Sequence, residues 1–253
     1  MTRQRIFFPV LPLLRCIIGL AISQASGNWT PQDDHPCNVR RLTLEELLDE
    51  FGPGGLPPLY PHPIVIRTDL QRNAALRSIT SRETIVEQFA PDFNVTLSSS
   101  NALSERRRTV TLQTYLDELA AMPETSPRQW SNESWYLFGE TYTAPWQHLL
   151  QAYQLPPCQT CRRDLSALSF GIGNRGSGVQ WHTHGPGFSE ALHGRKHWIL
   201  YPPRHAPANH HKDASSLQWM QEEYPKVMAA KDADFFECTR KLSLCDKKNN
   251  QMS

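Results

Sequence analysis

Behind Arg3 and Arg5 the chain is apolar almost without a break to about Ile22, and from Ser23 it turns small and polar. That layout predicts a secretory leader over residues 1–25, with cleavage after Ser23 or Ala25. A membrane anchor is the competing reading. Arg15, Pro9 and Pro12 interrupt the run, however, and leave no clean span of ~20 residues for a bilayer. Residues 26–40 are polar and turn-rich, a flexible lead-in. The pattern of "LTLEELLDEF" (42–51) then predicts an amphipathic helix, with Thr43 and Glu46 in capping-box register. "GPGGLPPLYPHP" ends it, and "PIVIR" (63–67) predicts a buried strand. "TSRETIVEQFA" (80–90) predicts a second helix, capped by Thr80 and Glu83. "FNVTLS" alternates as a strand does, "TVTLQTYLDELAAM" passes from extended chain into a helix, "SWYLFG" predicts a strand and "PWQHLLQAY" (145–153) a helix.

Past the Cys158 loop the pattern changes. "LSALSFGIG", "SGVQWHTH", "FSEALHG" and "KHWILYPP" are short strand-like runs divided by glycine-containing turns, which suits an antiparallel barrel or jelly roll. "SSLQWMQEEY" (215–224) adds a helix. No internal repeat and no linker divides the chain. The expected organisation is one α+β domain over 41–240, with N-terminal α/β elements wrapped around a mostly β barrel, followed by a divergent polar tail at 241–253.

Charge narrows the function. Of 253 residues, 26 are basic and 25 acidic, so nothing points to nucleic acid or an acidic membrane surface. The one basic run, Arg106–Arg108, reads as a solvated loop. Asn28, Asn94 and Asn132 each open a glycosylation sequon, in keeping with the leader and a lumenal or secreted location. Removing the leader takes Cys16 and leaves Cys37, Cys158, Cys161, Cys238 and Cys245, an odd number. Cys158-Gln-Thr-Cys161 has no second ligand pair for a zinc site and follows "LPP" in a loop, so it reads as a local disulfide or as free thiols. Cys37 and Cys238 sit near the two ends of the folded part, and we expect them to tie those ends together.

The chemistry centres on His182 and His184. Two residues apart on a strand, they fall on one face, where both imidazoles can reach one ion. A mononuclear iron oxygenase needs two histidines and one carboxylate on one side of the metal. The stretch "SFGIGNRGSGVQWHTHGPGFSEALHGRKHWILYPP" resembles the core of the jumonji-C family, and "LTLEELLDEF…YPHPIVIR" resembles the lead-in of its small members. The leader and sequons make the secretory-pathway members the nearest resemblance. It implies a double-stranded β-helix of the cupin or jelly-roll type, and for most members Fe(II)- and 2-oxoglutarate-dependent hydroxylation or demethylation.

Carried over residue by residue, the family pattern is broken. His182 matches the first metal ligand, but position 184 holds His where the pattern has an acid. Lys196 matches the lysine for the far carboxylate of 2-oxoglutarate, although the His182–Lys196 spacing is one residue short. Counted back from Lys196 without a gap, Trp181 and Thr183 would fill the ligand positions. The distal histidine, implied on a later strand, has no counterpart in "CTRKLSLCDKKNNQMS", so the barrel is expected to be incomplete at its C-terminal side. Glu190 and His193 are the two candidates to stand in as ligands. The other histidines, His197, His205, His210 and His211, read as structural or loop residues, and Trp181, Phe188, Trp198 and Tyr201 as barrel core.

The reading that follows is a catalytically inactive jumonji-C fold in the endoplasmic reticulum lumen or secretory pathway, regulating or binding protein partners. It implies no nucleic-acid partner and no membrane span once the leader is cut. The alternative is a 2-oxoglutarate-dependent protein hydroxylase with Fe(II). A third is a lumenal protein that responds to metal or thiols through His182, His184 and the CxxC.

Overall fold

Thr43 and Glu46 start the first helix as their spacing predicts. The computed structural model describes residues 14–18, 38–58, 60–69, 71–99, 106–121, 135–173, 177–179, 181–202, 216–230 and 236–241. The Thr43 hydroxyl accepts from the Glu46 N–H at 3.1 Å, and the Glu46 carboxylate accepts from the Thr43 N–H at 2.6 Å. This reciprocal box satisfies two donors that a helix start otherwise leaves orphaned. The helix, α1, runs Leu44–Phe51 between strands β2 (Arg40–Thr43) and β3 (Ile64–Arg67), which pair in parallel. Among the described residues two strands make this sheet, and β3 is half-buried rather than enclosed. Val39 is already buried one residue before β2, within the expected flexible lead-in.

The expected helix over 80–90 does not form. A helix precedes it instead: α2 spans Ala74–Ile79, and Thr80 closes it. The Thr80 N–H and hydroxyl both reach the Leu76 carbonyl, at 3.0 and 2.7 Å. Ser81 then bonds Glu83 and Thr84, and only a 3-10 turn, Ile85–Gln88, follows. Short polar side chains that bond locally compete with the helix ladder. The Thr-x-x-Glu spacing that reads as a start belongs here to a stop.

Strand β4 (Asn94–Ser99) lies between β5 (Arg107–Thr111) and β6 (Trp135–Tyr136), antiparallel to both. Helices α3 (Leu112–Ala121) and α4 (Gln147–Ala152) cover this sheet. Val95 and Leu97 of β4 pack with Leu112, Tyr115, Leu76 and Leu149 in the larger core. Each such side chain contributes about 1.5–3 kcal/mol when fully buried. The Tyr115 hydroxyl donates to the Ile172 carbonyl at 2.9 Å, and burial pushes that phenol's pKa well up.

The remaining sheet is antiparallel, in the order β7 (His182–His184), β1 (Leu14–Ile18), β8 (Arg195–Tyr201), β9 (Phe236–Lys241). Residues 14–18 lie inside the expected leader, and in the full chain they take an inner place in this sheet. Helices α5 (Ser216–Glu222) and α6 (Tyr224–Ala230) replace the single helix expected over 215–224; Pro225 suits the first turn of the second. Trp219, Met220 and Tyr224 pack on Ile199 and Tyr201 as a second core.

Two expected strands are not strands. In "LSALSFGIG" only Ile172 bridges to Leu137, while Thr141 takes both backbone groups of Phe170 through its hydroxyl. "FSEALHG" is drawn onto α2 and α4 by its side chains, as described below. The chain is therefore α+β, with small and mostly antiparallel sheets and helices against them. Among the described residues the strands do not close into a double-stranded β-helix, and no helix is long and apolar enough to cross a membrane.

Candidate functional site

The register of the four-stranded sheet aligns the candidate ligands. Cys16 of β1 lies opposite both His182 and Leu200, and Ile18 lies opposite Trp198. Directly opposed positions share a face, and so do positions two apart. Positions 182 and 184 thus fall on the same face as 196, 198 and 200. Position 196 is four residues along β8 from the His182 row, roughly 13 Å at the usual rise per residue, and two strands to the side. Lys196 donates to the Ser189 hydroxyl at 2.8 Å, and its ammonium stands 4.5 Å from the centre of the Trp198 ring. His197 points to the other face, is buried in the second core and meets Tyr224 edge-on at 6.2 Å.

Between these strands, residues 185–194 are tied to the N-terminal helices. Glu190 accepts from the Asn73 side-chain amide at 2.9 Å and lies 3.7 Å from the Arg77 guanidinium. Asn73 is buried, adopts the left-handed conformation (φ 59) and accepts the Gln154 N–H at 2.7 Å. Tyr153, whose pKa burial and then the charge of Glu190 push up, stacks on Phe188 with ring centres 6.3 Å apart. His193 bonds Thr80 at 3.1 Å. The Thr80 hydroxyl proton is spent on the Leu76 carbonyl, so His193 Nε2–H is the donor. These bonds fasten "FSEALHG" to α2 and keep it from pairing as a strand.

Glu190 is the one acid in the sequence from His182 to Lys196. The donor set therefore does not fit ferrous iron with 2-oxoglutarate, which asks for a carboxylate beside two histidines. Position 184 is an imidazole, and Glu190, the candidate to replace the missing acid, is engaged by Arg77 and Asn73. His193 is likewise engaged by Thr80. No group of three His, Cys, Asp or Glu side chains gathers around one point among the described residues; the side chain of His184 lies outside them.

The other expected residues divide. Cys158 and Cys161 form the local disulfide. Cys37 lies outside the described residues, and Cys238 sits opposite Trp198 in the register of β8 and β9. Asn94 is exposed at the start of β4, whereas Asn28 and Asn132, like His205, His210 and His211, lie outside the described residues. Trp181 and Tyr201 meet edge-on at 5.4 Å in the second core, as expected, and Trp198 is half-buried under Lys196. Phe188 is an exception, exposed beside Tyr153. Sequence reasoning missed Asn73, Arg77 and Ser189. No local pattern announces contacts between residues so far apart in the chain.

The described residues define an α+β protein that carries a His-x-His strand and a lysine strand on one face of an antiparallel sheet, with helices packed behind. Comparison with known proteins makes the class specific. The chain is 34% identical over 210 residues to "JmjC domain-containing protein 8" of Rattus norvegicus, covering 82% of this chain and 72% of the relative. It is 30% identical over 226 residues to the protein of the same name from Homo sapiens, covering 86% and 80%. No family model matches the chain, and no solved structure matches it. The chain belongs to the JmjC family, alongside these relatives. Membership implies a cupin-type jelly roll.

Proposed function

We propose that this chain is a double-stranded β-helix protein of the endoplasmic reticulum lumen or secretory pathway that binds and regulates protein partners and does not turn over 2-oxoglutarate. The observation that carries the reading is Glu190. The only acid between the histidine pair and the lysine is spent on Asn73 and Arg77, so among the described residues the pair lacks its carboxylate. Three features support the lumenal location: the leader pattern, the exposed Asn94 of a sequon, and the oxidised Cys158–Cys161 pair, of a kind that persists in oxidising compartments.

Protein hydroxylation with Fe(II) and 2-oxoglutarate is the second reading, and one observation favours it: Lys196 shares a sheet face with positions 182 and 184. Anaerobic titration with ferrous iron and 2-oxoglutarate separates the two. We expect no metal-to-ligand charge-transfer band and no succinate on admitting oxygen. A stoichiometric band that His182→Ala abolishes would overturn the non-catalytic reading. Glycosidase treatment of the protein made in secretory cells should increase its gel mobility; unchanged mobility would remove the lumenal placement.

A further inference from the structure

The Cys158–Cys161 bridge takes no part in the histidine face, and the fold draws little restraint from it. A cross-link between residues 3 apart constrains the unfolded chain far less than one that closes a long loop. The turn is fixed by other contacts. On one side Leu56 donates to the Pro157 carbonyl at 3.1 Å and accepts the Gln159 N–H at 3.0 Å. On the other, the Arg163 guanidinium holds the carbonyls of Leu150, Gln151 and Tyr153. Within the turn, the Cys161 N–H donates to the Cys158 carbonyl at 3.0 Å. None of these depends on the sulfur–sulfur bond, so opening it leaves two thiols side by side.

The bridge is also reachable and polarised. Both cysteines are only half-buried, and Gln159, Thr160, Arg162 and Leu165 around them are exposed. The Thr160 hydroxyl lies 3.7 Å from Cys158 Sγ; a disulfide sulfur has no proton, so the hydroxyl is the donor. Arg162 and Arg163 follow Cys161 directly, and Asp164 is the one acid beside them, which leaves a net positive charge. Hydrogen-bond donors and nearby cations favour a thiolate over a thiol. In an exchange reaction the sulfur better stabilised as a thiolate is the one expelled.

We propose that Cys158–Cys161 is a thiol–disulfide exchange site that oxidises dithiols of other proteins, with Cys161 the sulfur attacked and Cys158 the sulfur released. A client thiolate attacks Cys161 Sγ and forms a mixed disulfide with it. The Cys158–Cys161 bond breaks, and its electron pair leaves on Cys158 Sγ, to which the Thr160 hydroxyl donates. A second thiolate of the same client then attacks the client sulfur of the mixed disulfide. The client disulfide forms, and Cys161 is expelled as a thiolate. Two electrons have passed from client to bridge, and the two protons given up by the client thiols end on Cys158 and Cys161. A low-molecular-weight disulfide such as oxidised glutathione restores the bridge by the reverse exchange and is itself reduced to two thiols. Neither ferrous iron nor 2-oxoglutarate enters, so the site stands or falls independently of the histidine face.

The test mixes the full chain, its bridge formed, with a reduced synthetic peptide carrying two cysteines. With no other oxidant, one peptide disulfide should form for each bridge lost. Acid quenching, alkylation and mass spectrometry of the fragment holding residues 158 and 161 give that ratio. Tryptophan fluorescence should stay unchanged as the bridge opens, because other contacts hold the turn. With oxidised glutathione present, the protein should speed peptide oxidation about tenfold or more over oxidised glutathione alone. Cys158→Ser and Cys161→Ser should each abolish that gain. Thr160→Val should slow the opening of the bridge about threefold or more with the fold intact. A bridge that survives excess reduced peptide under native conditions, or a fold that unravels when it opens, overturns the site. A gain that persists in both serine variants belongs to other cysteines and overturns it too. Opening at the parental rate in Thr160→Val overturns the assignment of Cys158 as the released sulfur.

Discussion

Asn73 holds Glu190 across 117 positions of sequence, donating its side-chain amide at 2.9 Å from a buried residue in the left-handed conformation. Its carbonyl oxygen meanwhile accepts the Gln154 N–H, so one side chain joins α2, the end of α4 and the segment ahead of Lys196. Asn73→Gly keeps the backbone conformation and loses the bonds, and should lower unfolding stability by about 1–3 kcal/mol. Asn73→Ala should cost about 1 kcal/mol more, since a Cβ disfavours the left-handed region. Urea unfolding of the two variants checks the order. Equal losses would mean that the positive φ carries no strain.

Glu190→Gln separates a structural carboxylate from a ligand. The variant can still bond Asn73, but Arg77, itself mostly buried, loses its charged partner, and stability should fall by about 1–3 kcal/mol. Divalent-metal affinity, measured by calorimetry, should not change. The Tyr153 phenol should ionise at lower pH than in the parent yet remain above its usual 10, because burial is the larger cause of its shift and Glu190 the next. An ultraviolet titration reads this directly. Loss of metal binding in the variant would return Glu190 to the list of ligands.

His193 should make docking of residues 185–194 weaken in mild acid. Burial holds its imidazole below the ordinary 6.5; the nearby charge of Arg77 adds to this, while a bond to the Arg77 backbone and the charge of Glu83 oppose it. A histidine with a depressed pKa binds fewer protons folded than unfolded. Its contribution is therefore intact above 6.5 and is lost as pH falls from there toward the folded value. His193 remains solvent-accessible, so the slope should be shallow. Melting temperature should decline between pH 7.5 and 5.5 more steeply in the parent than in His193→Asn. Parallel profiles would contradict this.

What the sequence made legible was local. The capping box at Thr43 and Glu46 was readable because both partners lie within one turn. The Cys158–Cys161 bridge was readable as one of two options for the same reason. Thr80 misled because a Thr-x-x-Glu spacing fits a helix start, and only the presence of α2 before it makes Thr80 a stop. "FSEALHG" misled because its apolar alternation is real, but Glu190 and His193 find partners more than a hundred residues upstream. For the candidate site, parity on β7 was readable, whereas the alignment of its face with Lys196 depends on β1, from a segment read as removable.

The Cys158–Cys161 bridge should be present in the protein as made. The peptide carrying both cysteines should resist alkylation until reduced. The bridge spans a sequence separation of 3, so loop entropy limits its contribution to about 2 kcal/mol. It shapes the turn that returns Arg163 to the end of α4, where the guanidinium bonds the carbonyls of Leu150, Gln151 and Tyr153. Replacing both cysteines with serine should therefore lower stability by no more than about 2 kcal/mol. A much larger loss would show that the bridge holds more than its own turn.

Gly55 is the position where that turn meets the N-terminal elements, and it should tolerate no side chain. Its φ is +69, where L residues are strained, and a Cβ there would stand 2.2 Å from the Pro157 carbonyl oxygen, which is backbone and has no rotamer to give. The close approach is what lets Leu56 donate to the Pro157 carbonyl at 3.1 Å and accept the Gln159 N–H at 3.0 Å, bridging to Cys158. In Gly55→Ala the strained backbone and the steric clash act together, and the two should cost about 3 kcal/mol or more. Gly52, with φ +78 but open space around its Cβ direction, provides the control. Gly52→Ala bears the conformational cost alone, about 1–3 kcal/mol, since its ψ of −179 puts it in a positive-φ region that only glycine adopts freely. If thermal unfolding of the two variants shows equal losses, the packing of Gly55 against Pro157 is not what joins these segments.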